Sequence, residues 1–299
     1  MRRTLKLKLE IEEGGTLLRT IERFNLAVNY CVEYGFNDRT CSKIKIHKGT
    51  YYETRRRFGL PASLATGARD VACDALRAVN LKNSPKAKLY SAIRYNRRVI
   101  NIWLRRKEVS IATISGRVKA SFVLPGYYEQ YLNWQIKSST LSYRNGTFFL
   151  HTTVEKESPK PVGGEVLGID RGIVNIAVCS NNRFFNSRKV KNVRAKYAYL
   201  RQILQSKGTR SAKRKLKRLS GREKRFMTDV NHCISKEIAS TPYGVFALED
   251  LKSIRVQKRR GKRFDRKLNG WAFYQFEQFL RYKAEALRKQ VVLVDSRYS

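Results

Sequence analysis

The segment SPKPVGG, residues 158–164, divides the chain into two parts with different hydrophobic patterns. In the first part, alternating apolar residues surround a stretch with helical spacing, whereas in the second part short apolar runs and long helical stretches follow one another. Proline and glycine at this density interrupt helices and strands alike. A chain of 299 residues is long enough for two cores. We therefore predict two domains, residues 1–157 and 165–299, joined by a linker at 158–164.

The first part begins and ends with the period-two pattern of β-strands. Apolar and charged residues alternate over residues 5–11, and the region before the linker contains several more such strands. One pair of these strands is joined by Asn145–Gly146, which suits a type I′ hairpin turn. Between the strands, helical spacing predicts one helix capped by Thr16 and another over residues 61–79. This order predicts a small β-barrel interrupted by a helical insertion at residues 15–95.

The second part has the predicted order β-β-β-α-α-β-α-β. Its strands are VLGID, IVNIAVCS, FFNSRKV, VFALEDL and VVLVD. Helical spacing runs over residues 191–240, with breaks near Gly208 and Gly221, and WAFYQFEQFLRYKAEALRK predicts a further helix before the last strand. Strands that alternate with helices predict a layered α/β domain. Together with the barrel before it, this domain puts the whole chain in the α+β class.

The excess of positive charge limits the partners that the chain can have. It contains 63 Lys and Arg against 24 Asp and Glu, a formal net charge of +39. Such a balance indicates a polyanion, and nucleic acid is the default. A membrane surface is the weaker alternative, because the basic runs are not joined to apolar helix faces and no stretch reaches the ~18 apolar residues of a span. We expect a cytoplasmic, nucleoid-associated protein with no membrane partner.

Two dense basic runs lie in the second part. Residues 207–225 contain ten Lys or Arg and one Glu, and residues 252–267 contain nine and one Asp. A charged run is often only a solvated face, but runs of this density favour contact with nucleic-acid phosphates. The candidate contacts are Lys207, Arg210, Lys213, Arg214, Lys215, Lys217, Arg218, Arg222, Lys258, Arg259, Arg260, Lys262 and Arg263.

Two carboxylates stand at the ends of apolar strands, Asp170 after VLGI and Glu249 after VFAL. The apolar surroundings of Asp170 predict burial, which is costly for a carboxylate unless it is paired, hydrogen-bonded or bound to a metal. Carboxylates from adjacent strand ends can hold two Mg²⁺ ions about 3.5–4 Å apart. Alternatively, each could cap its strand or pair with an arginine. Spacing alone does not decide between these readings, and Arg171, which should point away from Asp170, receives little weight.

The cysteines and histidines suggest no further chemistry. The five cysteines contain no Cys-x-x-Cys pair, and their odd number argues against a disulfide framework. Cys31, Cys41 and His47 are irregularly spaced and too few for a closed zinc site, so scattered buried thiols are the preferred interpretation. His232 lies on a predicted helix without a partner base, and we leave it off the catalytic residues.

Several motifs resemble one known family. LGIDRGIVNIAV resembles the first RuvC motif, and FALEDLKSIR the second, of the TnpB (OrfB) proteins of insertion sequences, which are compact relatives of the type V CRISPR effectors. RFMTDVNHCISKEIA and the segment from LNGWAF to VDSRYS are similar to the same family. The resemblance implies a wedge-type barrel with a helical recognition insertion, followed by an RNase H-like (RuvC) nuclease domain.

The resemblance also implies a function. TnpB proteins are RNA-guided DNA endonucleases, so the expected partners are a transposon-derived guide RNA and target DNA, with Mg²⁺ as cofactor. Asp170 and Glu249 would be the first two metal-binding carboxylates. An RNA-guided DNA-binding protein that does not cut is the second hypothesis. An unguided RNase H-like enzyme is the third, but it leaves the barrel and its insertion unexplained.

The chain departs from the family pattern at its carboxyl end. The family continues into a zinc ribbon and a third RuvC motif with a further Asp, and both are absent from residues 1–299, together with the zinc ligands. Asp295 ends a strand, but it matches a position before the ribbon, so we predict a structural role for it. We expect a carboxy-terminal truncation and an incomplete RuvC domain. The chain as given is expected to bind nucleic acid and to cut weakly or not at all.

Overall fold

The structure, a computed structural model, describes residues 1–12, 14–251, 261 and 272–295. The chain divides into two compact units, Arg2–Lys156 and the residues from Glu157 onward. Each unit has a hydrophobic core of its own. The units are therefore described separately.

The first unit is built on a seven-stranded antiparallel sheet with the order β2-β6-β7-β1-β5-β4-β3. Tyr95 at the end of β2 donates its hydroxyl hydrogen to the Ala112 carbonyl on β4 at 3.1 Å, and the Ala112 amide donates to Val99 at 2.9 Å. The Ala112 hydrogen bond extends the pairing of β3 with β4, and the Tyr95 bond joins the β2 edge to that opposite end of the sheet, so the sheet is nearly closed. The strands are β1 Arg2–Glu10, β2 Ile93–Tyr95, β3 Ile100–Trp103, β4 Glu108–Thr113, β5 Gly116–Val123, β6 Gln135–Arg144 and β7 Thr147–Glu155.

The turn between β6 and β7 confirms the predicted hairpin. Asn145 has φ +49° and Gly146 φ +80°, and the flanking Arg144 and Thr147 are paired. A type I′ turn requires positive φ at both central residues, which Asn and Gly adopt at low cost. The local sequence therefore sets the register of these strands.

Three helices lie between β1 and β2, namely α1 Gly14–Asn37, α2 Lys43–Phe58 and α3 Ala62–Ala78, and a short 3₁₀ helix spans Gly126–Tyr131. The apolar spacing predicted α1 and α3 correctly. The predicted cap Thr16 is wrong, because α1 begins at Gly14 and Thr16 lies in its first turn. Helix α2 was not predicted, since its buried residues are only Ile46, Thr50 and Thr54. Two threonines among three buried positions give no apolar stripe to recognise.

The second unit contains a five-stranded sheet with the order β10-β9-β8-β11-β12. Strands β8, β11 and β12 are parallel, and the neighbouring strands β8 and β9, like β9 and β10, pair in antiparallel fashion. The strands are β8 Val166–Asp170, β9 Asn175–Cys179, β10 Arg183–Asn186, β11 Val245–Glu249 and β12 Gln290–Val294. The described helices are α4 Arg188–Lys207, α5 Arg210–Leu219, α6 Arg222–Ala239 and α7 Phe273–Ala286.

The helical region confirms the predicted breaks and corrects one strand. Gly208, with φ +62°, is the left-handed residue that ends α4, and Gly221, with φ +79°, lies between α5 and α6, directly before the first residue of α6. The predicted strand FFNSRKV is too long, because β10 ends at Asn186 and α4 begins at Arg188. No helix in the described part of the chain is both long enough and apolar enough to cross a membrane.

Helices α6 and α7 cover one face of the second sheet. Leu167, Ile169, Phe246 and Leu248 point to this face and belong to a buried cluster with residues of both helices. Residues that point to the other face are exposed, such as Val166 at 57% and Val294 at 40%. Strand residues therefore alternate between a helix-covered face and an open face.

Gly244 is a position where the second unit leaves no room for a side chain. Its amide donates to the Glu165 carbonyl at 3.1 Å, and an added Cβ would lie 1.8 Å from the Gly163 carbonyl oxygen. A backbone atom cannot rotate away as a flexible side chain can. We expect Gly244→Ala to lower the free energy of unfolding by about 1–3 kcal/mol, the range typical of overpacking, in urea or thermal unfolding.

Gly15→Ala is the matched control for this substitution. No atom lies within 4 Å of a Cβ added at Gly15, which is in the first turn of α1. Alanine should be neutral or slightly stabilising there, because it favours the helix. Equal stability of both variants and the unsubstituted chain would contradict the prediction.

Candidate functional site

Asp170 and Glu249 lie side by side at one edge of the second sheet. Strands β8 and β11 are parallel neighbours, and Ile169 pairs with Leu248. Each strand ends one residue later, at Asp170 and at Glu249. Neighbouring strands are about 4.8 Å apart. The register thus brings the two acidic residues together at the carboxyl ends of adjacent strands.

The two carboxylates point to the same face of the sheet. Ile169 and Leu248 are buried beneath the helices, so the next residue in each strand points to the open face. Asp170 is exposed and Glu249 is partly buried. The predicted burial of Asp170 is wrong, because a strand's last residue on an open face stays in solvent. Because Asp170 is exposed, its carboxylate carries no burial cost that a partner or a metal ion would have to offset.

Pairing with arginine does not explain Asp170 either. Its carboxylate forms no ion pair with any residue that the structure describes, and its neighbour Arg171 points to the opposite face. Oxygen ligands at a solvent-exposed edge match the preference of Mg²⁺, which keeps several waters and takes one or two carboxylates. The donor set of Asp170 and Glu249 therefore fits a hard divalent cation.

No third acidic residue joins them in the described ranges. Residues 1–12, 14–251, 261 and 272–295 contain no group of three or more His, Cys, Asp or Glu that could hold a metal ion. The residue opposite Glu249 on β12 is Val294, and Asp295 lies one position beyond the strand. The structural role of Asp295 stays a prediction.

Arg171 is a residue whose importance the sequence analysis missed. Its side chain is only 1% exposed. The guanidinium donates to the main-chain carbonyl of Glu249, to the Phe273 carbonyl at 3.3 Å and to Glu277 Oε2 at 3.4 Å. Arg171 therefore connects the end of β11 with the first turns of α7.

A signal for this contact was present in the sequence. Glu277 lies on the buried side of α7 between Phe273 and Leu280, where a charged residue requires a partner. An arginine directly after an apolar strand is a natural candidate. The prediction that Arg171 points away from Asp170 was correct, but its consequence, contact with the strand that carries Glu249, was missed.

The charge of Arg171 is balanced mainly by Glu277. Burial lowers the pKa of Arg171, and the Glu277 carboxylate opposes this shift. An arginine keeps its proton in proteins even when it is buried. Glu277 also accepts from Arg281 Nε at 3.0 Å. The Arg171 Nε has no hydrogen-bond partner among the described atoms, so the guanidinium acts through its two terminal nitrogens.

A cavity of about 550 Å³ lies near Arg171 on the helix-covered side of the sheet. Its wall is mostly apolar and includes Val174, Ile176 and Phe276. Neither Asp170 nor Glu249 lines it. Because phosphodiester chemistry needs the carboxylates, we place the candidate site at the exposed strand ends and not in this cavity.

Helix α5 carries a surface of unbalanced positive charge. Six of its ten residues are Lys or Arg, and it contains no acidic residue. Ala212 is buried and Leu216 and Leu219 are partly buried, so one narrow stripe anchors the helix. Exposed positions that form no ion pair within the described part of the chain are Lys207, Arg210, Lys213, Arg214, Lys215, Lys217, Arg218 and Arg222. The other predicted contacts, Lys258, Arg259, Arg260, Lys262 and Arg263, lie outside the described residues.

The spacing of these charges favours a polyanion as partner. Arg210, Arg214 and Arg218 follow one another at i, i+4 and i+8, and like charges at this spacing destabilise a helix. The helix is held by a cap, since Thr209 Oγ1 accepts from the Ala212 amide at 3.2 Å. A bound phosphate chain would relieve the repulsion, whereas a merely solvated face would not.

The cysteines and His232 take structural positions. All five thiols are free, and Cys31, Cys73 and Cys179 are buried, but Cys41 is half-buried and Cys233 exposed, so the prediction of buried thiols holds for three of them. His232 stacks on Phe279 with ring centroids 3.8 Å apart and hydrogen-bonds Tyr282 at 3.2 Å. These contacts agree with leaving His232 off the catalytic residues.

Comparisons with known proteins agree on one family. A family model, OrfB_IS605, described as a probable transposase, matches residues 149–260. A TnpB-like protein of Methanocaldococcus jannaschii is 35% identical over 104 residues, which make up 32% of this chain and 37% of that protein. Over this part the chain is similar to the TnpB (OrfB) family. The matched region spans little more than a third of this TnpB-like relative.

The fold of this chain is similar to that of a solved structure. A cryo-EM structure of Cas12f1 in complex with sgRNA and target DNA matches with a TM-score of 0.60 at 13% identity. The match covers 96% of this chain and 74% of the solved chain. At this level of identity the likeness concerns the fold.

Proposed function

We propose that the chain is an RNA-guided DNA endonuclease of a transposable element that hydrolyses phosphodiesters with Mg²⁺. The observation that carries this proposal is the pair Asp170 and Glu249, side by side on the open face at the ends of adjacent parallel strands. In this proposal the first unit is a wedge-type barrel with a helical recognition insertion. The second unit is the RuvC, RNase H-like nuclease domain.

The family and the charge of the second unit support the proposed partners. The similar Cas12f1 structure contains sgRNA and target DNA, and we infer the same classes of partner, a transposon-derived guide RNA and a target DNA. Helix α5 and its flanking residues would bind their phosphates. A cytoplasmic, nucleoid-associated location follows from these partners and belongs to the proposal.

Asp170 and Glu249 would divide the work at the site. Asp170, which is exposed, would hold a divalent metal ion on the open face of the sheet. Glu249, which is partly buried, offers a more constrained second ligand. Bound Mg²⁺ supplies a polarised phosphoryl oxygen and a more acidic water. The two side chains would hold and orient the metal ion, and the open face would leave room for the phosphodiester.

RNA-guided DNA binding without cleavage is the second candidate function. The observation that favours it is the lack of a third acidic residue beside Asp170 and Glu249 within the described ranges. Two carboxylates leave a second metal ion weakly held, with waters in the remaining positions. We therefore expect tight guided binding by residues 1–299 and slow cleavage at most.

The purified chain should contain a discrete RNA, and binding of DNA should depend on it. The test is to sequence the copurifying RNA and to measure affinity for matched and mismatched DNA duplexes before and after ribonuclease treatment. Single-turnover incubation with Mg²⁺ then separates an endonuclease from a binding protein. Heterogeneous RNA, or DNA cleavage that survives removal of the RNA, would contradict guidance and favour an unguided RNase H-like enzyme.

A further inference from the structure

We propose that Arg171 is a positioning residue for the metal site, holding the end of β11 so that Glu249 presents its carboxylate beside Asp170. This inference rests on the proposed function, since it concerns the same pair of carboxylates. Arg171 would not touch the metal ion or the substrate. It acts from the opposite face of the sheet, through the main chain of Glu249.

The contacts of Arg171 form a bridge between a strand end and a helix. One terminal nitrogen donates to the Glu249 carbonyl, and the other donates to the Phe273 carbonyl and to Glu277. Pairing of β11 with β8 ends at Leu248, whereas on the other side Glu249 pairs with Val294 of β12 and the Asp250 amide donates to the Val294 carbonyl at 2.8 Å. Arg171 therefore restrains β11 at its terminal residue, the one that carries the candidate ligand.

Stability alone gives a weak reason for a buried arginine at this position. Arg171 is flanked by a mostly apolar wall, and its side chain is 1% exposed. Replacing a buried ion pair by apolar residues of similar volume is often neutral or stabilising. An apolar residue, however, could not donate to the Glu249 carbonyl. The guanidinium fixes the position of that carbonyl by a hydrogen bond, which an apolar side chain cannot form.

A purely electrostatic role and a positioning role of Arg171 predict opposite changes in metal affinity when Arg171 is replaced. A positive charge close to the site repels a divalent cation, so its loss would strengthen metal binding if charge alone acted. If Arg171 instead fixes Glu249, its loss weakens metal binding although a repulsive charge has gone. Residues that orient metal ligands typically contribute about 10–100-fold to affinity. The direction of the change therefore separates the two effects.

The test is a titration of the RNA-free chain with Mn²⁺, followed by electron paramagnetic resonance of the free ion, together with thermal unfolding of each variant. We expect Arg171→Met to weaken Mn²⁺ binding by about 10–100-fold. Arg171→Lys, whose single ammonium cannot reach all three acceptors, should lie between the methionine variant and the unsubstituted chain. Lysine also keeps the buried charge beside Glu277, so this variant serves if the methionine variant does not fold.

Lys289→Met is the matched control. Lys289 Nζ donates to the Ala239 carbonyl at 2.8 Å and to the Thr241 carbonyl, so it is a second basic residue that ties main-chain carbonyls in this unit. It precedes Gln290, which pairs with Val245 at the opposite end of β11 from Glu249. Its replacement should lower the melting temperature and leave Mn²⁺ affinity unchanged. A purely structural role for Arg171 would give the same result as this control.

The outcomes are distinct. Unchanged or tighter Mn²⁺ binding by folded Arg171→Met, or by folded Arg171→Lys where only that variant folds, would overturn the positioning role. Binding that also survives Asp170→Ala, or no binding by the unsubstituted chain, would overturn the metal site itself and this inference with it. Weakening in the Arg171 variants, with Lys289→Met unaffected, would support both.

Discussion

Asp170→Ala should weaken Mn²⁺ binding by more than about 100-fold, beyond the usual effect of replacing a residue that only orients a ligand, and should remove whatever slow Mg²⁺-dependent DNA cleavage residues 1–299 perform. Asp170 is exposed and unpaired within the described structure, so its replacement disturbs no packing. The melting temperature and the affinity for RNA should therefore stay unchanged. The measurements are single-turnover cleavage, Mn²⁺ titration and thermal unfolding on the same preparations.

Glu237→Gln is the control for this prediction. Glu237 is an exposed acid of the same unit, on α6, and it is paired with Arg183 of β10. The variant removes one negative charge, as Asp170→Ala does, but keeps both candidate ligands. If both variants reduce metal binding equally, the effect comes from net charge, and the assignment of Asp170 is wrong.

Replacing four basic residues of α5 by glutamine should weaken RNA binding by roughly 10²- to 10³-fold at about 0.1 M salt, because each phosphate contact releases a counterion. The residues are Lys213, Arg214, Lys217 and Arg218, all exposed. The slope of log affinity against log salt should flatten by about 0.7–0.9 for each phosphate interaction that the substitutions remove. Circular dichroism should show a helix that is retained, since like-charge repulsion within α5 falls.

Exchange of lysine and arginine at the same four positions is the matched control. The exchange preserves the charge on which phosphate binding mainly depends, so the affinity and salt slope should change little. Weak binding by the exchanged variant would indicate that RNA binding depends on the hydrogen-bond geometry of the individual side chains of α5 and not only on their charge. Full affinity in the glutamine variant would show that α5 is a solvated face, and the RNA would have to bind elsewhere.

How far the sequence predicts this fold depends on how strongly each element is amphipathic. Helix α1 buries Leu17, Ile21 and Phe24 at helical spacing and was predicted, whereas α2 buries two threonines and an isoleucine and was not. The breaks at Gly208 and Gly221 were predictable because glycine adopts positive φ without cost. Tertiary packing, not the local pattern, decides elements such as α2.

The candidate site was predictable in its residues but not in its surroundings. Apolar runs that end in Asp170 and Glu249 indicated two strand ends, and the register of β8 and β11 makes them neighbours. Exposure of Asp170 could not be inferred, since five residues do not reveal which face of a sheet is open. The hydrogen bond between Arg171 and Glu277 joins residues 106 positions apart, and only the fold brings them together.

Because side chains alternate between the two faces along β8, the directions of Asp170 and Arg171 depend on the number of residues in this strand. Asp170 faces the open side and Arg171 the helices, so a single inserted or deleted residue between Val166 and Asp170 would exchange their directions. The carboxylate would enter an apolar layer, and the guanidinium would leave its three acceptors for water. Natural or designed variation can therefore replace apolar residues of β8 one by one, whereas a shift of one position removes the ligand and its support in the same step.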